Sequence, residues 1–335
     1  MSQPTFQPDK YLLQRGIQAS CRLTAQHFLL TQRAGGLIHP FIAEEIRSKK
    51  DLAIADAGCG NGIWAIETAE EHPSAEVVGL DVSAAQFPAA WTCPQNCCFH
   101  QLDLMQPVGE EYNNCFDLIN VRLLAGPLNG GNFHPIVDNL FRMLKPNGLI
   151  QWLDVALEGI RAYDSSEDSD IMPNWGQPAS ISTQFPAFVK STGWLKQLPT
   201  FLNQRGFTDI EMHECPPKKS ILRHETDDIG LVLIELSKSH PNVESDTADK
   251  FKVAVADLLK EISEGRLFTV VLQTTIGRKP RGGLSKVEQI QVRKVYPTLP
   301  APTDNIWRRV ASRRGERELD ENGLNSDLKS GAFSD

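Results

Sequence analysis

The chain has 335 residues, of which 41% are hydrophobic and 23% are charged, and its formal net charge is −8. This composition is ordinary for a globular protein with ample length for a core. The acidic balance argues against broad nucleic-acid binding, which needs a basic face, and no apolar run approaches the ~20 residues of a membrane span. Seven scattered cysteines indicate reduced thiols, so we expect a cytoplasmic protein, with the nucleus as the alternative.

The N-terminal region predicts helices. Residues 11–32 are predicted to form one or two amphipathic helices, and residues 41–48 a further, separate helix. Between them, Gly35-Gly36 and His39-Pro40 interrupt the helical pattern.

A glycine-rich turn follows the first predicted strand, residues 52–55. Asp56 comes next, then Gly58-Cys59-Gly60-Asn61-Gly62, then a predicted helix over residues 63–71. Glycines at a strand-to-helix turn let the backbone approach a ligand closely, and the helix N-terminus offers unpaired N–H groups. Such a turn predicts a cofactor site. Cys59 is interpreted as a small packing residue rather than a nucleophile.

The spacing of this turn indicates which cofactor it fits. It reads G-x-G-x-G, whereas a dinucleotide fingerprint reads G-x-G-x-x-G. A carboxylate beside the turn would repel a pyrophosphate and attract a cationic amino group. The pattern therefore favours a cofactor that is positively charged near the turn, as S-adenosylmethionine is through its ammonium and sulfonium groups.

Three more apolar runs predict strands with polar residues near their ends, over residues 77–81, 99–104 and 116–122. Asp81 ends the first of these and could accept both ribose hydroxyl hydrogen bonds. Asp103 lies near the end of the second and could accept from an adenine amino group. A helix over residues 136–144, a turn at residues 145–148 and a fifth strand over residues 149–155 follow.

The C-terminal half predicts a helix over residues 185–204, a sixth strand over 207–215 and a seventh over 267–276. About fifty residues separate the last two strands, more than a hairpin needs, and they carry amphipathic stretches at 228–237 and 246–263. From residue 281 the chain predicts a flexible tail, with a nuclear-import or partner-docking role as the alternative.

A metal site is not predicted. Cys93, Cys97, Cys98 and His100 could be interpreted as a metal cluster, but the group lacks a second well-spaced ligand pair.

The order of these motifs resembles that of the class I S-adenosylmethionine-dependent methyltransferases. The elements that match are Asp56-Ala57-Gly58-Cys59-Gly60, Asp81, Leu102-Asp103, Phe116-Asp117-Leu118-Ile119 and Leu144-Lys145-Pro146-Asn147-Gly148. Two N-terminal segments, residues 11–15 and 20–27, resemble the narrower LaeA-like group of fungal secondary-metabolite methyltransferases.

The resemblance implies an α/β fold with a Rossmann-like, seven-stranded, mostly parallel sheet. It also implies a division of the chain: a helical lid at residues 1–48, a cofactor-binding domain at 49–280 and a tail at 281–335. Insertions at about 160–185 and 216–266 would cover the substrate.

The expected site residues follow from the strand ends and from the family's layout. Cofactor contacts are expected from Asp56, Ala57, Gly58, Gly60, Asp81, Val82, Asp103, Leu104 and Arg122. Arg122 would lie near the cofactor carboxylate or the substrate mouth. Tyr11 and Trp175 could line the substrate pocket, with core packing as the alternative. If a general base is needed, the candidates are His27 and His134.

The function expected from these motifs is methyl transfer from S-adenosylmethionine to an O, N or S atom of a small molecule in secondary metabolism. One alternative is a LaeA-like regulatory protein that acts through partners. Another is a methyltransferase-like fold that catalyses a non-methylating reaction, such as a cyclisation. A homodimer is compatible with each.

Overall fold

The computed structural model describes residues 15–124, 133–163, 177–178, 192–238 and 245–282. Tyr11, Trp175 and nearly all of the predicted tail lie outside the described residues. Those that are described fall within one compact unit of the chain, Met1–Pro297.

A single sheet organises the described residues. Its strands are β1 (Ala53–Ala57), β2 (Glu76–Asp81), β3 (Cys97–Gln101), β4 (Phe116–Arg122), β5 (Leu144–Tyr163), β6 (Gln177–Pro178), β7 (Thr208–Cys215) and β8 (Leu267–Arg278). Their order is β3-β2-β1-β4-β5-β8-β7, with the two-residue β6 paired to β5. The first five strands in this order are parallel to one another, whereas β8 is antiparallel to both β5 and β7. The predicted mostly parallel α/β sheet is confirmed.

The helices of the described chain are α1 (Ile17–Ala34), α2 (Pro40–Ile46), α3 (Ile63–Glu71), α4 (His134–Met143), α5 (Leu198–Arg205), α6 (Leu222–Lys238) and α7 (Ser245–Ser263). Gly35 ends α1 in the left-handed conformation, with φ of 83°, and its N–H bonds to the carbonyl of Thr31. Pro40 lies in the first turn of α2, where its missing N–H costs nothing.

Both faces of the sheet are covered by helices. Trp64 and Ala65 of α3 pack with Ile42 of α2 and with Ile54 on one face. Leu140 of α4 and Leu202 of α5 pack on the other, beside Ala55 and Ala57. The central strands are therefore apolar on both sides, as expected of buried parallel strands. Helices α6 and α7 form a separate cluster with the far ends of β5 and β8.

Several element boundaries differ from the prediction. Strand β3 ends at Gln101, so Asp103 lies beyond it. Helix α5 begins only at Leu198, because Pro199 is tolerated in a first turn but not in a helix interior. Helix α6 begins at Leu222, six residues before the predicted start.

The predicted turn at residues 145–148 is part of β5. Leu144 pairs with Phe116, and Leu149 with Leu118, so the residues between them bulge out of the ladder. Asn147 within this bulge has φ of 64°.

None of the helices in the described parts of the chain combines the length and apolar character that crossing a membrane requires.

Candidate functional site

The glycine-rich loop follows β1 at the carboxyl edge of the sheet. The N–H groups of Gly58 and Cys59 both bond to the carbonyl of Leu80, at 2.7 and 3.0 Å. Gly58, Gly60 and Gly62 have φ of 77°, 56° and 77°, a region that favours glycine. The loop is therefore tied to the end of β2 and delivers the chain directly into α3, in the arrangement that the sequence predicts.

Asp56 lies within β1 rather than in the turn, and its side chain is buried. Its Oδ1 accepts a hydrogen bond of 2.7 Å from the amide of Asn120, while its Oδ2 has no hydrogen-bond partner among the described residues. Burial raises the pKa of Asp56 to about 6, and the charge of Arg122 and the Asn120 bond oppose this rise.

A chain of buried amides continues from Asp56 across the sheet. The Asn120 Oδ1 accepts from Gln151 Nε2 at 2.7 Å, and the same Nε2 donates to the Leu37 carbonyl at 2.9 Å. The Gln151 Oε1 accepts from the N–H of His39. Sequence reasoning missed Asn120 and Gln151. The signal was present, because each is a lone amide in an apolar central strand, and buried amides need partners.

Asp81, at the end of β2, holds the glycine loop. Its Oδ2 accepts from the Gly60 N–H at 2.9 Å and its Oδ1 from the Ser83 N–H at 3.0 Å. The carbonyl of Val82 accepts from the side chain of Gln101. The structure thus brings Asp56, Gly60 and Asp81 together at one edge of the sheet, and the Asp81 charge contributes to the raised pKa of Asp56.

The predicted adenine residues lie beyond β3. Asp103 is half-buried, and its Oδ1 accepts from the N–H of Met105 at 2.8 Å, a local turn contact. Leu104 is buried in the core, as is Ala57, the last residue of β1. The Leu104 carbonyl accepts from the amide of Asn139 in α4.

Arg122 ends β4, and its neighbours include His27 and Asp56. Its Nη2 is 3.1 Å from His27 Nδ1, and its charge opposes the rise in the pKa of Asp56. His27 is buried in α1, and its Nε2 lies 2.8 Å from the Oε2 of Glu67 in α3. Glu67 was not predicted from the sequence, since it resembles any carboxylate on a helix.

Helix α1 packs directly on the glycine loop. A methyl carbon of Leu23 lies 3.1 Å from where a Cβ on Gly60 would stand. The amide of Asn61 donates to Thr24 Oγ1 at 2.9 Å and to the Ser20 carbonyl at 3.2 Å. The loop is therefore held from β2 on one side and from α1 on the other.

His134 begins α4 and is exposed. Its ring contacts those of Phe133 and Phe201, with centroids 5.3 and 5.1 Å apart.

Burial raises the pKa of Cys59 well above its ordinary value, so this thiol stays protonated in its packed position. Within the described ranges, no three His, Cys, Asp or Glu side chains are grouped so as to hold a metal ion.

Comparison with known proteins finds similarity to methyltransferases. Residues 54–148 match a family described as a methyltransferase domain. The methyltransferase grgD of Penicillium sp. is 35% identical over 159 residues, which are 44% of this chain and 52% of that protein. A protein of Emericella nidulans, laeA, is 31% identical over 162 residues, which are 47% of this chain and 40% of that protein. It is named both a protein-methionine methyltransferase and a secondary metabolism regulator.

The chain thus spans about half the length of the curated relatives it matches. Among solved structures, the phosphoethanolamine N-methyltransferase 2 of Haemonchus contortus, in complex with S-adenosyl-L-methionine, covers 77% of this chain with 57% of its own. It is 16% identical, with a TM-score of 0.41. The family match and the two fungal relatives confirm the resemblance to methyltransferases, including the LaeA-like group.

Proposed function

We propose, on the premise that this chain carries a methyltransferase domain in residues 54–148, that it binds S-adenosylmethionine at the glycine loop. It transfers the methyl group to an O, N or S atom of a small molecule, in fungal-type secondary metabolism. The similarity to grgD supports the reaction type.

The observation that carries this proposal is the half-satisfied carboxylate of Asp56. Its Oδ2 is buried and has no hydrogen-bond partner in the described structure. A buried carboxylate is costly unless it is paired and hydrogen-bonded. A cationic amino group placed at the loop would provide both, and the methionine ammonium of S-adenosylmethionine is such a group.

The remaining cofactor contacts are assigned by position. Gly58 and Gly60 present backbone to the methionine portion. Asp81, followed by Val82, accepts the ribose hydroxyls, and since a carboxylate can accept about four hydrogen bonds, it can hold the loop at the same time. Arg122 pairs with the cofactor carboxylate, and Asp103 and Leu104 border the adenine.

Bound S-adenosylmethionine supplies a methyl group that its sulfonium already activates. The residues of this chain therefore need to orient the acceptor within about 3–3.5 Å of the methyl carbon and exclude water. Removal of a proton is required only for an acceptor that is protonated at neutral pH.

Helix α1 and the insertion that follows β7 are assigned to the cover of the site. Arg22 of α1 pairs with Glu235 of α6 at 2.9 Å, and Gln26 donates to Asp228 of α6 at 3.0 Å. Because α1 also packs on the glycine loop, these contacts link the insertion to the cofactor site. Tyr11 and Trp175 are proposed as additional cover residues.

A regulatory function is the second candidate, favoured by the similarity to laeA. In that case the methyl group is transferred to a protein side chain, or the chain binds a partner protein and transfers no methyl group. A non-methylating reaction in the same fold is the third candidate.

Two measurements test the proposal. Calorimetry with S-adenosylmethionine and S-adenosylhomocysteine should show binding that Asp56→Asn weakens. The protein, incubated with a cell extract and methyl-labelled S-adenosylmethionine, should yield a labelled small product. A labelled protein band supports the regulatory candidate, tight binding with no labelled product supports a non-methylating function, and no cofactor binding contradicts the proposal altogether.

A further inference from the structure

His27 connects three elements of the cofactor site. The residue belongs to α1 and is only 1% exposed. Its Nδ1 faces Arg122 Nη2 of β4 at 3.1 Å, and its Nε2 faces Glu67 Oε2 of α3 at 2.8 Å. Both ring nitrogens therefore have a partner.

The chemistry of these partners determines where the imidazole carries its proton. A guanidinium can only donate hydrogen bonds, so Nδ1 must accept. The neutral ring then carries its hydrogen on Nε2 and donates it to Glu67. Burial and the neighbouring Arg122 charge lower the pKa of His27, against the opposing effect of Glu67, so the neutral form predominates at neutral pH.

We infer that His27 is a positioning residue for Arg122 rather than a general base: it holds the guanidinium in the orientation that pairs with the cofactor carboxylate. This inference rests on the proposed function. With Nδ1 committed to Arg122 and the Nε2 hydrogen to Glu67, the ring has no nitrogen available to take a proton from an acceptor.

The energetic reason is the freedom of an arginine side chain. A free arginine side chain has many rotamers, and a guanidinium that is already anchored loses less conformational entropy on binding. Glu67 in turn fixes the imidazole, as a carboxylate commonly does for a histidine that must keep one orientation. The anchor therefore lowers the cost of ordering Arg122 when the cofactor binds.

The same side chain couples this orientation to the docking of α1. Leu23, one turn earlier in that helix, packs on Gly60, and Asn61 bonds to Thr24. When α1 lies on the loop, His27 reaches both Arg122 and Glu67. Helix α1 thus both covers the site and, through His27, positions Arg122 for the cofactor carboxylate.

A pair of amide substitutions tests this role. In His27→Asn the amide oxygen takes the position of Nδ1 and can still accept from Arg122. In His27→Gln the amide nitrogen takes the position of Nε2, which keeps the bond to Glu67 but removes the acceptor for Arg122. The two variants are similar in polarity and differ in which contact they keep.

The measurement compares two ligands on the full chain by calorimetry. S-adenosylhomocysteine has the amino-acid carboxylate, whereas methylthioadenosine lacks the whole amino-acid portion. We expect His27→Gln to lower the affinity for S-adenosylhomocysteine about 10-fold, the equivalent of one charge-assisted hydrogen bond. Its affinity for methylthioadenosine should stay within about twofold of the wild-type value. His27→Asn should restore most of the affinity. Arg122→Met should show the same ligand-selective loss, and adding His27→Gln to it should cost no more.

Several outcomes would overturn the inference. Equal losses for both ligands indicate a general structural defect, and equal losses in the two amide variants indicate that the Arg122 contact is irrelevant. In both cases wild-type binding leaves the proposed function intact. A wild-type protein that binds neither ligand contradicts the proposed function, and the inference with it.

Discussion

Asn120 donates to one oxygen of the buried Asp56 carboxylate at 2.7 Å and leaves the other oxygen without a hydrogen-bond partner in the described structure. Buried polar atoms are nearly always paired, and the proposed function assigns this unpaired oxygen to the ligand ammonium. The chain of amides behind Asn120 fixes this asymmetry, because Gln151 holds the Asn120 oxygen and so turns its NH₂ group toward Asp56. The unpaired oxygen is the basis of the first prediction.

The affinity for S-adenosylmethionine should fall at acidic pH. The pKa of Asp56 is raised to about 6, so the carboxylate is charged at pH 7 and becomes protonated below pH 6. A neutral Asp56 no longer attracts the ligand ammonium, and the affinity should decrease towards about 10-fold per pH unit below this value. Calorimetry between pH 5 and pH 8 measures the profile.

Two controls accompany the pH profile. Asp56→Asn should bind weakly at pH 7 and show no such dependence, since the amide does not titrate. Methylthioadenosine, which lacks the ammonium, should bind the wild type with a flat profile. An unchanged slope in Asp56→Asn would assign the titration to another group.

Asp81→Ala should weaken cofactor binding and loosen the glycine loop. The substitution removes the acceptor of the Gly60 N–H and the proposed acceptor of the ribose, for a loss of roughly 1–3 kcal/mol in binding free energy. Asp81→Asn keeps one acceptor oxygen and should lose less. Calorimetry with S-adenosylhomocysteine distinguishes the variants, and wild-type affinity in Asp81→Ala would remove the ribose assignment.

Gly62→Ala should destabilise the protein by more than its backbone conformation alone requires. A Cβ at this position would lie 2.4 Å from Phe99 Cε1, and φ is 77°. The left-handed conformation costs about 1–2 kcal/mol and the overpacking a further 1–3 kcal/mol in unfolding free energy.

Gly265→Ala is the matched control for Gly62. Gly265 has φ of 96°, but a Cβ there would meet nothing within 4 Å. Urea unfolding of both variants should show only the backbone cost at Gly265. Equal losses would mean that the Phe99 ring moves aside without cost.

Arg33→Met should destabilise the protein strongly. Arg33 is buried and pairs with Glu225 at 3.3 Å, while also donating to the carbonyls of Val270 and Cys215. Removing it leaves the buried Glu225 without its cationic partner, so that among the described residues only Thr269 still donates to it, and takes one donor from each carbonyl. We expect a cost of about 3–5 kcal/mol in unfolding free energy.

The exposed pair of Arg223 and Asp227 in α6 provides the comparison for Arg33. Arg223→Ala should change the unfolding free energy by no more than about 0.5 kcal/mol, because solvent screens the pair. Thermal unfolding monitored by circular dichroism measures both. A small loss in Arg33→Met would show that Glu225 protonates at little cost.

Several elements were predictable because their causes are local. The apolar runs give β1, β2 and β4, and Gly35 ends α1 as a left-handed cap must. The last two strands were also predicted within a few residues. Some boundaries were predicted wrongly because the local pattern was ambiguous. The residues around Pro199 have helical character, but this did not show that the helix begins at Leu198.

The candidate site was predictable only in part. Asp56 and Asp81 were predicted from strand ends and Gly60 from the glycine-rich turn, and the structure brings all three together. Asn120, Gln151 and Glu67 were not named, because their roles depend on partners far away in sequence. Secondary-structure propensities and the spacing of residues in a motif contain no information about such distant partners.

The sequence by itself determined the fold class and the glycine loop with its acids, since strand periodicity, glycine conformation and charge act over a few neighbouring residues. Only the tertiary structure decided the hydrogen-bonding of Asp56, the orientation of Arg122 and the tautomer of His27. Each depends on side chains brought together from three or more elements. Burial removes the water that would otherwise satisfy those groups, so the identity of each neighbour decides whether a carboxylate, a guanidinium or an imidazole is paired.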